Sequence, residues 1–267
     1  LKASLFFQTL FFFLSVLYAD VEGEVGTHHF VSQAMNWTDA QTHCRKYYID
    51  LSSVNGQKDT EKILKAAAGQ KILKWNIAWI GLYRDPTNAT RWKWSGGGYV
   101  TYTNWDIGQP DNYFNQESRG SIFSSGQWND AKENVTLPFF CIKISVMNYE
   151  KKTWEEALEH CREEHSDLIS IASETDRLLA QTEMQCYDLT EPVWIGLRFL
   201  ADQWLWVDGE TMVYKAWPQG GDKDHQCPTW RRCGALTVEG LWGNYNCEEK
   251  RYFLCLVNRK YSSHKMN

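Results

Sequence analysis

The sequence predicts an α+β chain built as two similar units in tandem, each with two helices, small antiparallel sheets, a long loop and disulfides. Three observations predict it. The chain matches itself at a period near 115 residues. Each copy opens on a helix-period apolar face and continues as short aromatic runs broken by Gly, Asn and Asp. Each copy is also bracketed by one cysteine in that helix and another near its close. The repeat is detailed: NWTDAQTHCRKYYIDLSSV matches KTWEEALEHCREEHSDLISI, AWIGLYRD matches VWIGLRFL, RWKWSGG matches QWLWVDG, and LPFFCIKI matches RYFLCLVN. From Trp128 to Cys141 is 13 residues, and so is the interval from Trp242 to Cys255. An interval shared without a gap is hard to produce by chance.

In chain order, residues 1–19 read as a secretory signal: Lys2, an apolar run from Leu5 to Tyr18, then small Ala19 before acidic Asp20. The run is short for a membrane span of about 20 residues, and no later stretch is long and apolar enough for one. The first unit, 27–145, begins in a strand whose His28 and His29 alternate across it and are expected at the surface. Its first helix is predicted to start at a capping box of Thr38 and Gln41, as Thr153 and Glu156 start the helix of the second unit, 146–258. Behind the boxes, Trp37, Ala40 and Cys44, or Trp154, Ala157, Leu158 and Cys161, fall on one apolar face. Second helices are predicted over Lys58 to Ala68, stopped by Gly69, and over Thr175 to Glu183. Between the units, ISVMNYEKK runs from a closing strand into an opening one with almost no linker, and residues 259–267 form a tail.

Composition excludes some functions. A net charge of −5 with no basic stripe gives no footprint for nucleic acid. Fourteen Trp are unusual, and core is the default role for each. A secreted chain favours disulfides over zinc thiolates for its eight cysteines. Cys44 with Cys141, and Cys161 with Cys255, would each close a loop of roughly 100 residues, contributing about 4 to 5 kcal/mol in the chain-entropy model. Cys186 follows the second helix and Cys227 lies in the long loop, so a bridge between them is the favoured expectation; an intermolecular bond is the alternative. Asn36, Asn88 and Asn134 head N-glycosylation sequons. Nothing reads as an enzyme. His160 and His165 are five apart, about 140° around a helix, and cannot share a metal as an i, i+4 pair could.

The helix-borne Cys, WIGL, a proline triplet Gln109-Pro110-Asp111, the string Trp128-Asn129-Asp130 and the closing Cys stand in order. With these anchors the chain resembles two tandem C-type lectin-like domains, covering nearly everything after the leader. The resemblance implies a cis proline at Pro110 and a calcium ion held by side-chain oxygens of Gln109, Asp111, Glu117, Asn129 and Asp130. The chemistry agrees, since calcium takes six to eight oxygens and this set offers three carboxylates and two amide carbonyls. It further implies that positions left open on the ion take two vicinal sugar hydroxyls, with Gln109 and Asn129 donating and Asp111 and Glu117 accepting. The Gln-Pro-Asp order resembles the galactose-preferring branch, where Tyr113 stands at the place of the ring that stacks on the sugar. The implied partners are glycans on cell-surface or pathogen glycoconjugates, met extracellularly by a protein with no membrane span in this chain.

The second unit departs from this pattern. Counted from Trp242, the ligand positions are Arg231, Gly243 and Asn244, and a cation in place of a carboxylate should exclude calcium. Asp222 and Asp224 could still form an accidental weak site. Cys233 and Cys247 match the family's inner bridge, whereas the same offsets in the first unit carry Arg119 and Glu133, expected to form an ion pair. Such a pair is weaker than a disulfide, so the first unit's loop is expected to be looser without metal. The competing function is a binding module for protein, lipid or ice on the same fold without sugar recognition, a role open above all to the second unit.

Overall fold

A computed structural model of the chain describes residues 26–68, 76–164, 167–209, 212–219 and 223–256. The expected leader, Gly69, His165, Asp222 and the expected tail lie outside the described residues.

In the first domain, β1 (Thr27–Met35) leads into α1 (Trp37–Tyr47), a short β2 (Asp50–Leu51) and α2 (Gln57–Ala68). Five further strands follow: β3 (Ile77–Arg84), β4 (Trp92–Trp94), β5 (Arg119–Phe123), β6 (Trp128–Ala131) and β7 (Leu137–Lys143). The sheet runs β1-β7-β3-β5-β6, with β2 on β7 and β4 on β3. First and last strands are thus antiparallel neighbours, while β3 meets β7 in parallel at Trp79 and Phe139.

The second domain repeats the order with β8 (Ser145–Lys152), α3 (Trp154–Glu164), α4 (Glu174–Cys186), β9 (Val193–Leu200), β10 (Gln203–Trp206), β11 (Cys233–Leu236), β12 (Trp242–Tyr245) and β13 (Arg251–Leu256). Its sheet runs β12-β11-β9-β13-β8, again with one parallel contact, Trp194 to Phe253. Equivalent tryptophans make equivalent bonds. The indole N–H groups of Trp37 and Trp154 donate to the carbonyls of Ile80 and Ile195, each at 2.9 Å. Those of Trp79 and Trp194 donate to Met35 and Lys152, each at 3.0 Å. A buried indole gains from a partner for its one donor, and the fold supplies one at both of these equivalent pairs, whereas the buried indoles of Trp128 and Trp242 have none.

Trp79, Trp94, Trp128, Trp194 and Trp242 are fully buried, as a core role predicts; among the described tryptophans Trp230 is the exception, exposed on the long loop of the second domain. Bridges join Cys44 to Cys141, Cys161 to Cys255, and Cys233 to Cys247. The predicted Cys186–Cys227 bridge is not formed, and both thiols are exposed. Cys186 ends α4, beside the Tyr149–Tyr187 contact that ties this helix end to β8. The loop bearing Cys227 is instead fastened toward β10 and β12: the Trp204 indole donates to the His225 carbonyl, and Asn244 donates to Asp224.

Other expectations change in detail. The cap of α1 is Asn36, whose Oδ1 accepts from the Asp39 amide at 2.8 Å while its Nδ2 donates to the Asp39 carboxylate. Thr38 instead donates to Glu133, and Gln41 to Ser95. In the second domain the predicted box stands, with the Thr153 amide donating to Glu156 and the Glu156 amide to Thr153 Oγ1. The cap of α4 is Ser173, so that helix begins one residue before the expected Thr175 and runs on to Cys186. His28 is buried, hydrogen-bonded to Ser52, rather than at the surface. Only Ile144 separates β7 from β8, and Ile142 and Ile144 pack into the core of the second domain.

Candidate metal and ligand site

The site occupies the loop between β4 and β5 and is closed from below by β6. Trp105 bridges to Trp128, with the rings edge to face at 5.7 Å. The Asp106 amide donates to the Trp128 carbonyl at 2.9 Å, so the loop leaves from a fixed base. Gly108, at φ +83, supplies a turn conformation costly for other residues, and the Gln109–Pro110 bond that follows is cis. Beyond it, the amides of Asp111 and Asn112 donate to the two carboxylate oxygens of Asp130, each at 3.0 Å. A short 3-10 turn, Tyr113–Asn115, then brings the chain round, and the Tyr113 amide donates to Glu117 at 3.1 Å.

These folds bring the carboxylates of Asp111, Glu117 and Asp130 together, with oxygens within 4.8 Å of one another. Burial pushes the Glu117 carboxyl up from its ordinary value, and the charges of Asp130 and Asp111 add to the rise. Such crowding of anions is relieved by a cation. Gln109 borders the cluster, its Oε1 accepting from the Asp111 amide at 3.2 Å, and Asn129 flanks Asp130 on β6, its amide donating to the Asp130 carbonyl. Tyr113 is 58% exposed beside the acids, its ring 4.4 Å from that of Phe114, which is 71% exposed.

Sequence reasoning missed Arg84. Its Nη2 lies 3.0 Å from Asp130, whose side chain is 0% exposed, and its guanidinium is 4.6 Å from the centre of the Trp92 ring. The signal was present in the repeat: the position matching Arg84 in AWIGLYRD is Phe199 in VWIGLRFL, so the cation occurs only in the unit with the acids.

In the second domain the corresponding positions are tied to one another. Asn244 donates to Asp224 at 2.8 Å and to the Arg231 carbonyl at 3.1 Å. Glu155 does approach Cys233 and Cys247, but those sulfurs are spent in a disulfide and offer no thiolate. In the first domain the two inner-bridge positions hold the expected ion pair, Arg119 to Glu133 at 2.7 Å, with the guanidinium over the Trp37 ring.

Two disulfide-laced α+β domains, one with an acid-lined loop, are the frame of the site. The chain belongs to the C-type lectin domain family: the Lectin C-type domain model matches residues 33–143 and 150–257. It is similar to human lymphocyte antigen 75, 26% identical over 258 residues, covering 83% of this chain and 14% of that protein. It is also similar to the secretory phospholipase A2 receptor of Pongo abelii, 25% identical over 291 residues and covering 90% of this chain and 19% of the receptor. The chain therefore spans less than a fifth of the length of these relatives. Among solved structures it is similar to the C-type lectin CEL-I of Cucumaria echinata, 27% identical, covering 45% of this chain and 92% of that one, with a TM-score of 0.42. The second of these relatives is a receptor by name, and the two domains of this chain are lectin-like binding modules, not an enzyme. Among the described residues no helix is long and apolar enough to cross a membrane.

Proposed function

We propose that the first domain binds carbohydrate in a calcium-dependent manner, with a galactose-type preference, and that the second is a calcium-free structural or binding module. The convergence of Asp111, Glu117 and Asp130 carries this reading. The donor set fits the ion in kind, since calcium is a hard cation that prefers carboxylate and amide oxygens, and Gln109 and Asn129 add two amides at the rim. A bound calcium ion would supply positive charge and open coordination positions for sugar oxygens. The protein's own groups do the rest. Asp111 and Glu117, acceptors when ionised, accept hydrogen bonds from two vicinal hydroxyls, and the side-chain N–H groups of Gln109 and Asn129 donate to the lone pairs of those hydroxyls. Tyr113 presents a ring to the apolar face of the sugar.

Asn88 and Asn134 are exposed and suited to carry N-glycans, and Asn36 can carry one while its Oδ1 still caps α1. Together with the expected leader and the bridges, this supports an extracellular location. Binding through one such shallow site is weak, so avidity comes from repeated sites. A glycan array run with calcium and with chelator tests the reading. Signals on galactosides that vanish with chelator are expected; calcium-dependent signals on mannosides alone would remove the galactose preference, and no calcium-dependent signal would remove the lectin function. The phospholipase A2 receptor is named for a protein ligand, and the second domain lacks the acid set. Sugar-independent protein binding is therefore the second reading for that half.

A further inference from the structure

We propose that Arg84 is the resident cation of the loop from Gln109 to Glu117, holding it in its folded shape when no metal is bound. Asp130 is the point on which this depends. Its carboxylate is shut off from water, and a buried anion persists only beside a compensating charge and donors. Two of its donors are the amides of Asp111 and Asn112, so the carboxylate fastens the loop backbone directly. The compensating charge is Arg84, which is 18% exposed on its side chain and set in place by the Trp92 ring and by donation from Nη1 to the Ala89 carbonyl at 2.9 Å. The second domain supplies the contrast: where the acid is replaced by the neutral Asn244, the matching position is the apolar Phe199. Cation and acid are present together or absent together.

Arg84 is thus a positioning residue, acting on the ligand loop through Asp130. It offsets the missing inner disulfide, which the Arg119–Glu133 pair does only weakly. On this proposal the wild-type loop stays folded without metal, in contrast to the looseness expected from the missing bridge.

The test is limited proteolysis of the oxidised full chain with chymotrypsin, for which Tyr113 and Phe114 are exposed sites, in calcium and in chelator. The wild type should be cut in this loop at rates within about twofold in the two conditions. Arg84→Gln should be cut about tenfold faster in chelator and return to the wild-type rate with calcium, while Arg84→Lys, which keeps the charge, should stay near wild type. Wild-type cleavage about tenfold faster in chelator, or an Arg84→Gln loop as resistant as wild type, overturns the proposal. If Arg84→Gln is cut faster but calcium protects neither protein, the role of Arg84 stands and the calcium reading of the site falls. Should Arg84→Gln be cut throughout the chain, hydrogen exchange on the wild type in chelator decides: slow exchange at Asp111 and Asn112 supports the proposal, and rapid exchange there overturns it.

Discussion

Arg119 and Cys233 open equivalent strands, and the pair of changes from a disulfide to an ion pair can be followed residue by residue. The Arg119–Glu133 contact is 2.7 Å long but partly open to water, with side-chain exposures of 21% and 46%. An ion pair in that setting contributes about 0 to 1 kcal/mol, so Glu133→Gln should lower the stability of the chain by no more than about 1 kcal/mol in urea titration. Reducing Cys233–Cys247, a small loop, should cost the second domain more, roughly 3 kcal/mol. This pair was legible in the sequence because two copies at a common offset reveal a joint replacement. Arg84 was equally open to that comparison, but its meaning depends on which acid it meets across the sheet, and β3-to-β6 proximity is a property of the fold. His28 shows the same limit. Alternation along a strand does not say that the outer face is covered, and here β1 lies against β7 under α2 with Ser52 as a hydrogen-bond partner. The unformed Cys186–Cys227 bridge was inferred from leftover cysteines, and counting carries no distance.

Helix starts were readable at the level of elements, though not always at the right residue. In the second domain Thr153 and Glu156 form the expected box; in the first, Asn36 occupies the place of Thr153 in the aligned repeat, which the Thr38 reading overlooked. Thr153→Ala should therefore destabilise by about 1 kcal/mol, and Asn36→Ala by a similar amount, both read by thermal or urea unfolding. A Thr38→Ala loss as large as that of Asn36→Ala would contradict the cap assignment. The WIGL strands carry a steric requirement too. A Cβ at Gly196 would lie 2.9 Å from the Leu168 carbonyl oxygen and 2.8 Å from Val207. One at Gly81 would lie 2.9 Å from the Leu51 carbonyl oxygen. Backbone cannot yield as a flexible side chain can, so Gly196→Ala should cost about 2 to 3 kcal/mol. A neutral outcome would mean that β9 shifts freely against the segment after α3.

Across the whole molecule, the sequence made the tandem plan plain, but not how the halves meet. The turn of Gly96, Gly97 and Gly98 lies against α4: a Cβ at Gly96 would come within 2.4 Å of Leu179, and Thr175 donates to the Gly97 carbonyl at 3.1 Å. Two acids of α4 are buried at this junction. Asp176 bonds to Ser173 and feels Asp59 of α2; Glu183 bonds to Ser145 and feels Lys143. Burial pushes both carboxyls up to about 7. Because these folded values lie above the unfolded ones of about 4, the folded chain holds the extra protons. Their stabilising effect is complete below about pH 4 and is lost as pH rises toward about 7. Asp176→Asn should therefore narrow the difference between urea midpoints at about pH 5 and pH 8, and an unchanged difference would contradict the buried-acid interface. Calcium calorimetry on the oxidised full chain is the most direct test of calcium binding at the acid-lined loop of the first domain. The expected result is one saturable site of millimolar affinity or tighter in the wild type, as in extracellular calcium modules, abolished in Glu117→Gln. No calcium heat in the wild type, or an isotherm unchanged by Glu117→Gln, would contradict it.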